Sequence, residues 1–117
     1  MTQEEFIEAV RSEVKGSAVD GLCAQLVKPS GRKPPEKIKA LSDWYNSLDS
    51  EAQGKVREVV ELASHHAVFG FLAVLDGVRP IEDDVEKGDL RLFYEKAGAQ
   101  VLLNDPSAEM LHDIFNA

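Results

Sequence analysis

The residues best suited to chemistry in this chain share one stretch of helical spacing. At 100° per residue, Glu58, Glu61 and His65 fall within about 60° of one another around a helix axis. Glu61 and His65 are an i, i+4 pair, a spacing that lets a carboxylate and an imidazole reach one ion. Asp76 shares their angular sector but lies eleven residues beyond His65, about 16 Å further along the axis. It therefore cannot complete a ligand set with His65. A zinc site would need ligands from elsewhere, and His66 points aside while His112 is distant in sequence. Ion pairs on the helix surface are the preferred reading of Glu58 and Glu61. A small metal-binding protein or metal-dependent enzyme using His65, Glu61 and Glu58 is the alternative.

Other groupings are weaker. Ser64-His65-His66 sets a hydroxyl beside an imidazole in sequence, yet successive helix residues point about 100° apart. Asp76, Glu82, Asp83, Asp84, Glu86 and Asp89 could attract a cation, but they lack the alternation, central glycine and terminal glutamate of a calcium loop. The preferred role for Asp76, Arg79, Glu82 and Asp83 is a structural brace where a helix turns into a hairpin. Lys28, Arg32, Lys33, Lys37 and Lys39 form the one positive patch, read as a solvated linker without the glycine–lysine pattern of a phosphate loop. Trp44, Tyr45 and Tyr94 are the interaction candidates, since aromatic side chains anchor interfaces. Trp44 fits the apolar stripe of its helix, so burial is expected of it. Tyr45 and Tyr94 could line a groove or a dimer contact. Cys23, beside Leu22 and Leu26, reads as a small buried side chain rather than a nucleophile. No catalytic residue and no cofactor is expected.

The elements that must position these residues follow from capping and periodicity. Thr2 and Glu5 form a capping box ahead of Phe6, Val10 and Val14. Gly16 and Ser17 weaken that helix, and Val19 to Val27 is taken as a second segment. Lys28 to Pro35, with three prolines and a glycine, is a loop. Ile38, Leu41, Trp44, Tyr45 and Leu48 form the stripe of the next helix, and Asp49 caps the one after it. That helix, from about Ser50 to Asp76, carries Val56, Val59, Val60, Ala63, Ala67, Gly70, Phe71 and Val74 on one face, with Leu62, Phe69 and Leu72 opposite. It is expected to be buried on both sides in its second half, with Gly70 admitting a close neighbour and Gly77 ending it. A hairpin with the turn Lys96-Ala97-Gly98 would pair Phe93 with Val101 and Leu92 with Leu102. Asp105-Pro106 would open a last helix whose buried side is Met110, Leu111, Ile114 and Phe115.

The expected fold class is thus α+β, mainly α: four to five helices around a buried central helix, with one C-terminal β-hairpin, in a single domain over residues 1–117. The segment Phe69-Gly70-Phe71-Leu72-Ala73-Val74-Leu75-Asp76-Gly77-Val78-Arg79, then Ile81-Glu82-Asp83, resembles a family of small bacterial proteins of unknown function. Trp44-Tyr45-Asn46-Ser47-Leu48, Leu103-Asn104-Asp105-Pro106 and Leu111-His112-Asp113-Ile114-Phe115-Asn116 extend the resemblance over nearly the whole chain. It implies a free-standing bacterial protein and no particular chemistry.

Composition narrows the function classes. The 117 residues are 44% hydrophobic and 29% charged, with 13 Lys and Arg against 21 Asp and Glu, a formal charge of −8. Such a field repels nucleic acid and anionic membrane and favours a basic partner. The acidic start lacks the apolar core of a signal peptide, and the apolar run Ala67 to Leu75 is shorter than the roughly 20 residues that span a bilayer. With one cysteine, a cytoplasmic address is expected. The reading is a non-enzymatic interaction protein, immunity-protein-like in neutralising a basic partner, with no nucleic-acid or membrane partner. A homodimer through the hairpin is the remaining option.

Overall fold

Helix boundaries in this chain are set by short-range capping and by one long-range substitution for it. A computed structural model describes all 117 residues and is mainly helical, with one hairpin near the C-terminus. Helix α1 (Gln3–Ala9) opens at Thr2, whose Oγ1 accepts from the Glu5 amide at 3.1 Å and donates to Glu5 Oε1 at 3.3 Å. The chain does not break at Gly16. A π-helical stretch (Val10–Gly16) runs straight into α2 (Ser17–Val27), so the two expected segments are one helical run. A π turn takes more residues than an α turn and so absorbs the weak Gly16-Ser17 step without ending the helix. It also rotates the apolar face, leaving Val14 exposed and Val19 and Leu26 buried.

The chain divides into two compact units, residues 15–65 and residues 1–14 with 66–117. In the first, α2 packs on α3 (Glu36–Asn46) after the Lys28–Pro35 loop. The packing face of α3 is partly polar. Buried Ser42 donates to the Leu26 carbonyl at 2.8 Å, and Asn46 Nδ2 reaches the Val27 carbonyl at 3.1 Å. These bonds satisfy carbonyls that the C-terminus of α2 leaves open. They also turn α3 so that Leu41 and Trp44 face outward. Trp44 is 49% exposed, which corrects the expectation that it is buried. Asp49 caps α4 (Ser50–Leu75) as expected, its Oδ1 accepting from the Ala52 amide at 2.8 Å.

The second unit holds the main core: Ile7, Leu72, Leu111 and Phe115, with Phe6, Val10, Val68, Phe69, Leu75 and Ile114 packed around them. The burial of α4 is narrower than its composition suggests. Only Gly70, Leu72 and Ala73 are buried, while Leu62 is 60% and Phe71 64% exposed, and Val59, Ala63 and Ala67 are exposed too. The helix is therefore not enclosed in its second half. Its inner line is the Phe69–Leu72 side, and the longer apolar face is split, with Gly70 buried, Val56, Val60 and Val74 half-buried, and Val59, Ala63, Ala67 and Phe71 exposed. By length and composition α4 could cross a membrane, with 17% of its most apolar window buried.

Helix α4 ends at Gly77 (φ +79°) in a Schellman arrangement, with Gly77 N donating to Val74 O and Val78 N to Ala73 O, each at 3.1 Å. The exit turns Arg79 back along the helix, and its guanidinium lies where a Cβ at Gly70 would sit. The close neighbour of Gly70 is thus a flexible side chain. Gly70→Ala should change stability by less than about 1 kcal/mol in a urea titration, because Arg79 can swing away while alanine gains helix propensity. A loss above 2 kcal/mol on that scale would mean that the guanidinium is held in place.

Strands β1 (Phe93–Lys96) and β2 (Ala99–Leu102) pair antiparallel, with Phe93 opposite Leu102 and Tyr94 opposite Val101. This is one residue off the expected register. The turn is the two-residue Ala97-Gly98, both at positive φ (51° and 82°), and Lys96 belongs to the ladder. Two left-handed residues make a type I′ turn, which follows the strand twist closely enough to outweigh the strain at Ala97. The last helix, α5 (Leu111–Asn116), starts later than expected. Asp105 instead closes a separate turn, its Oδ1 accepting from the Ser107 amide (2.9 Å) and hydroxyl (2.8 Å). Those bonds hold its carboxyl below the usual range. Met110, now ahead of the helix, is exposed.

Candidate functional site

The histidine and carboxylates of the first unit line one open hollow of about 460 Å³ with Lys15 and Leu62. Lys15 Nζ lies 3.2 Å from His65 Nδ1. An ammonium only donates, so Nδ1 is the accepting nitrogen. A cation already stands where a metal would meet that nitrogen. The carboxylates turn to the helix surface: Glu58 pairs with Lys55 at 3.2 Å and Glu61 with Arg57 at 3.5 Å. Arg57 also reaches Asp20 at 2.9 Å, and that hydrogen bond is the main cause raising its guanidinium above the ordinary value. No three His, Cys, Asp or Glu side chains come together as a group able to hold a metal ion.

The second unit joins a buried carboxylate to a histidine 36 residues away. Asp76 Oδ1 accepts from the Leu111 amide at 3.0 Å, and its Oδ2 accepts from the His112 amide at 2.9 Å and from Nδ1 at 2.6 Å. The carboxylate side chain is 3% exposed. It acts as the N-terminal cap of α5, supplied by another helix. Phe69 meets the His112 ring edge-on, with centroids 5.3 Å apart, and His112 Nε2 is 3.4 Å from Asp113 Oδ1. The expected brace of Asp76, Arg79, Glu82 and Asp83 does not form. Asp76 points inward to α5, Arg79 lies over Gly70, Glu82 Oε1 accepts from the Gly88 amide at 2.5 Å, and Asp83 is exposed.

Asn104 organises the chain beyond α4. It is 6% exposed and makes three hydrogen bonds. Its Nδ2 donates to the carbonyls of Leu75 (2.6 Å) and Leu90 (2.8 Å), and its Oδ1 accepts from the Leu92 amide (2.8 Å). One amide side chain thus ties together the two ends of the loop 76–89, an Ω-shaped closure. No helix or strand occurs between residues 76 and 92, and every residue from 77 to 91 is exposed.

The loop therefore stands clear of the core and shows two kinds of side chain. Val85 is fully exposed and Ile81 69% exposed, with Val78 and Leu90 beside them in sequence. Glu82, Asp83, Asp84, Glu86 and Asp89 set five carboxylates against Arg79 and Lys87. An open hollow of about 440 Å³ lies under it, lined by Arg79, Glu82, Asp89, Arg91 and Asn104 among others. Asp89 pairs with Arg91 at 3.7 Å, and Lys87 donates to the Asp84 carbonyl at 3.2 Å. Chemically, such a surface can bind apolar side chains and cations together.

Of the aromatic candidates, Trp44 is exposed, while Tyr45 and Tyr94 are half-buried and belong to different units. Sequence reasoning passed over Lys15 and Asn104 and left His112 aside as too distant. Asn104 and His112 carried no signal beyond their place in the resembling segments. No family profile, curated protein or solved structure matches this chain.

Proposed function

We propose that this chain is a non-enzymatic interaction protein, bacterial and cytoplasmic, that engages a basic surface on a protein partner through the loop 76–89. An immunity protein blocking a basic toxin would act in this way. The carrying observation is the loop itself: long, exposed from residue 77 onward, tied at its base by Asn104, and displaying Ile81 and Val85 among five carboxylates. Loops of this length without secondary structure are uncommon in compact domains and are usually functional when ordered. Apolar anchors supply affinity, and the surrounding charge steers encounter with a basic surface. Two of the three histidines have named side-chain partners, His65 with Lys15 and His112 with Asp76. The bacterial setting rests on the resemblance at Phe69–Arg79, and the cytoplasmic one on the single cysteine.

Photo-crosslinking from position 85 in the native host tests the reading. A crosslinker there should join a discrete protein at a lysine- or arginine-rich surface. Neutralising Asp83, Asp84 and Glu86 to Asn, Asn and Gln should cut the yield at least about tenfold. An adduct whose yield ignores those changes, or no adduct, would overturn it.

A further inference from the structure

We infer that the cationic, aromatic surface formed by residues 27–44 receives the loop 76–89 of a second copy of this chain. The inference rests on the reading of that loop as a docking element for basic surfaces, and it names one such surface. Five of the chain's 13 basic residues fall between positions 28 and 39: Lys28, Arg32, Lys33, Lys37 and Lys39. All five are exposed, and no ion pair or side-chain hydrogen bond engages any of them. Against them the surface carries two exposed acidic residues, Glu36 and Asp43.

The same surface carries apolar anchors. On α3, Lys37, Leu41 and Trp44 follow one another at i, i+4 and i+7, so they form one line along its outward side. Leu41 and Trp44 are both exposed, as is Val27 at the end of α2. This outward turn follows from Ser42 and Asn46 being spent on the carbonyls of α2. The result is an outward line of Lys37, Leu41 and Trp44 on α3, with exposed Val27 and the unpaired cations Lys28, Arg32 and Lys33 in the segment that leads into it.

The chain holds a matching surface of opposite sign. The loop 76–89 presents Ile81 and Val85 with five carboxylates, as the patch presents Leu41 and Trp44 with five cations. Charge and apolar character are thus complementary together, which is what distinguishes an interface from a merely charged surface. The two surfaces are distinct, so each contact joins the loop of one copy to the patch of another. Two copies at −8 each repel at long range. At about 0.15 M salt the Debye length is about 8 Å, so that repulsion is screened while contacting charges still interact. Association should accordingly peak at intermediate ionic strength and fall both below and above it.

Charge reversal of the full chain provides the test, read by sedimentation velocity. Wild type at about 0.15 M salt should associate with rising concentration. A loop variant (Asp83→Lys, Asp84→Lys, Glu86→Lys) and a patch variant (Lys33→Glu, Lys37→Glu) should each associate at least about tenfold more weakly. All five positions are exposed, and circular dichroism should confirm that both variants remain folded. Mixed in equal amounts, the two should form a dimer that grows no further, since the loop variant keeps its patch and the patch variant keeps its loop. A wild type that stays monomeric, variants that associate as wild type does, or a mixture that stays monomeric would overturn the self-docking. A Val85 crosslink to a different protein would leave the reading of the loop standing in each of those outcomes.

Discussion

Replacing Asn104 by leucine should cost about 3–4 kcal/mol, at about 1 kcal/mol for each of three lost hydrogen bonds plus desolvation of the groups left behind. The groups stranded are the carbonyls of Leu75 and Leu90 and the amide of Leu92. Leucine matches asparagine in size but offers neither donor nor acceptor, so the test separates hydrogen bonding from packing. Asn104→Asp should be at least as damaging at neutral pH. It keeps an acceptor for Leu92 but turns a carboxylate oxygen toward two carbonyls. The loss is a large share of the roughly 5–15 kcal/mol of a domain of this size. Thermal melts should fall by roughly 12–16 °C, at about 4 °C per kcal/mol. A urea titration in which either variant loses less than 1 kcal/mol would show that the loop base is held by something else.

Asp76 comes second. Asp76→Ala should destabilise by about 3 kcal/mol, since three charge-assisted bonds end on one carboxylate. Helix α5 has six residues, too few to persist without tertiary support. Yet it delivers Leu111 and Phe115 to the core beside Ile7 and Leu72. Losing its cap therefore reaches the core. Asp76→Asn keeps one accepting oxygen and should cost roughly half as much. His112→Ala removes only the side-chain arm and leaves both backbone bonds, so it should cost less than Asp76→Ala. Hydrogen exchange at the Leu111 and His112 amides reads this locally, with the fastest exchange expected in Asp76→Ala. If exchange there matches wild type, the cap is not what holds α5.

How legible the molecule was in its sequence depended on how far each cause lay from its effect. Thr2 with Glu5, Asp49 with Ala52, Gly77 with Val74 and Val78 with Ala73 act over a few residues, and types at fixed offsets reveal them. Asp76 caps α5 from 36 residues away, and nothing in the spacing of Asp105 and Pro106 says that a nearer carboxylate will be spent on Ser107. The outward turn of Trp44 was hidden for another reason. Apolar periodicity assumes that helices pack through apolar residues, and α3 packs partly through Ser42 and Asn46. The hairpin was legible as a hairpin, but its register depended on Ala97 accepting a left-handed conformation. The mainly helical fold with its C-terminal hairpin was therefore readable. The partial exposure of the apolar face of α4 and the base of the loop were not, because both depend on which side chains meet at long range.

The tie made by Asn104 also bears on how this protein can change over generations. A loop whose ends are joined by one buried side chain transmits little of its interior to the fold. Doubling the length of such a loop costs only about 0.6 kcal/mol in closure entropy, and residues 77–91, all exposed, leave no cavity behind when replaced. Selection can thus rewrite Ile81 to Asp89 one residue at a time while Asn104, Leu75 and Leu90 stay as they are. The scaffold and the loop sequence are separable inheritances, so under the proposed role a lineage could follow a partner that alters its own surface.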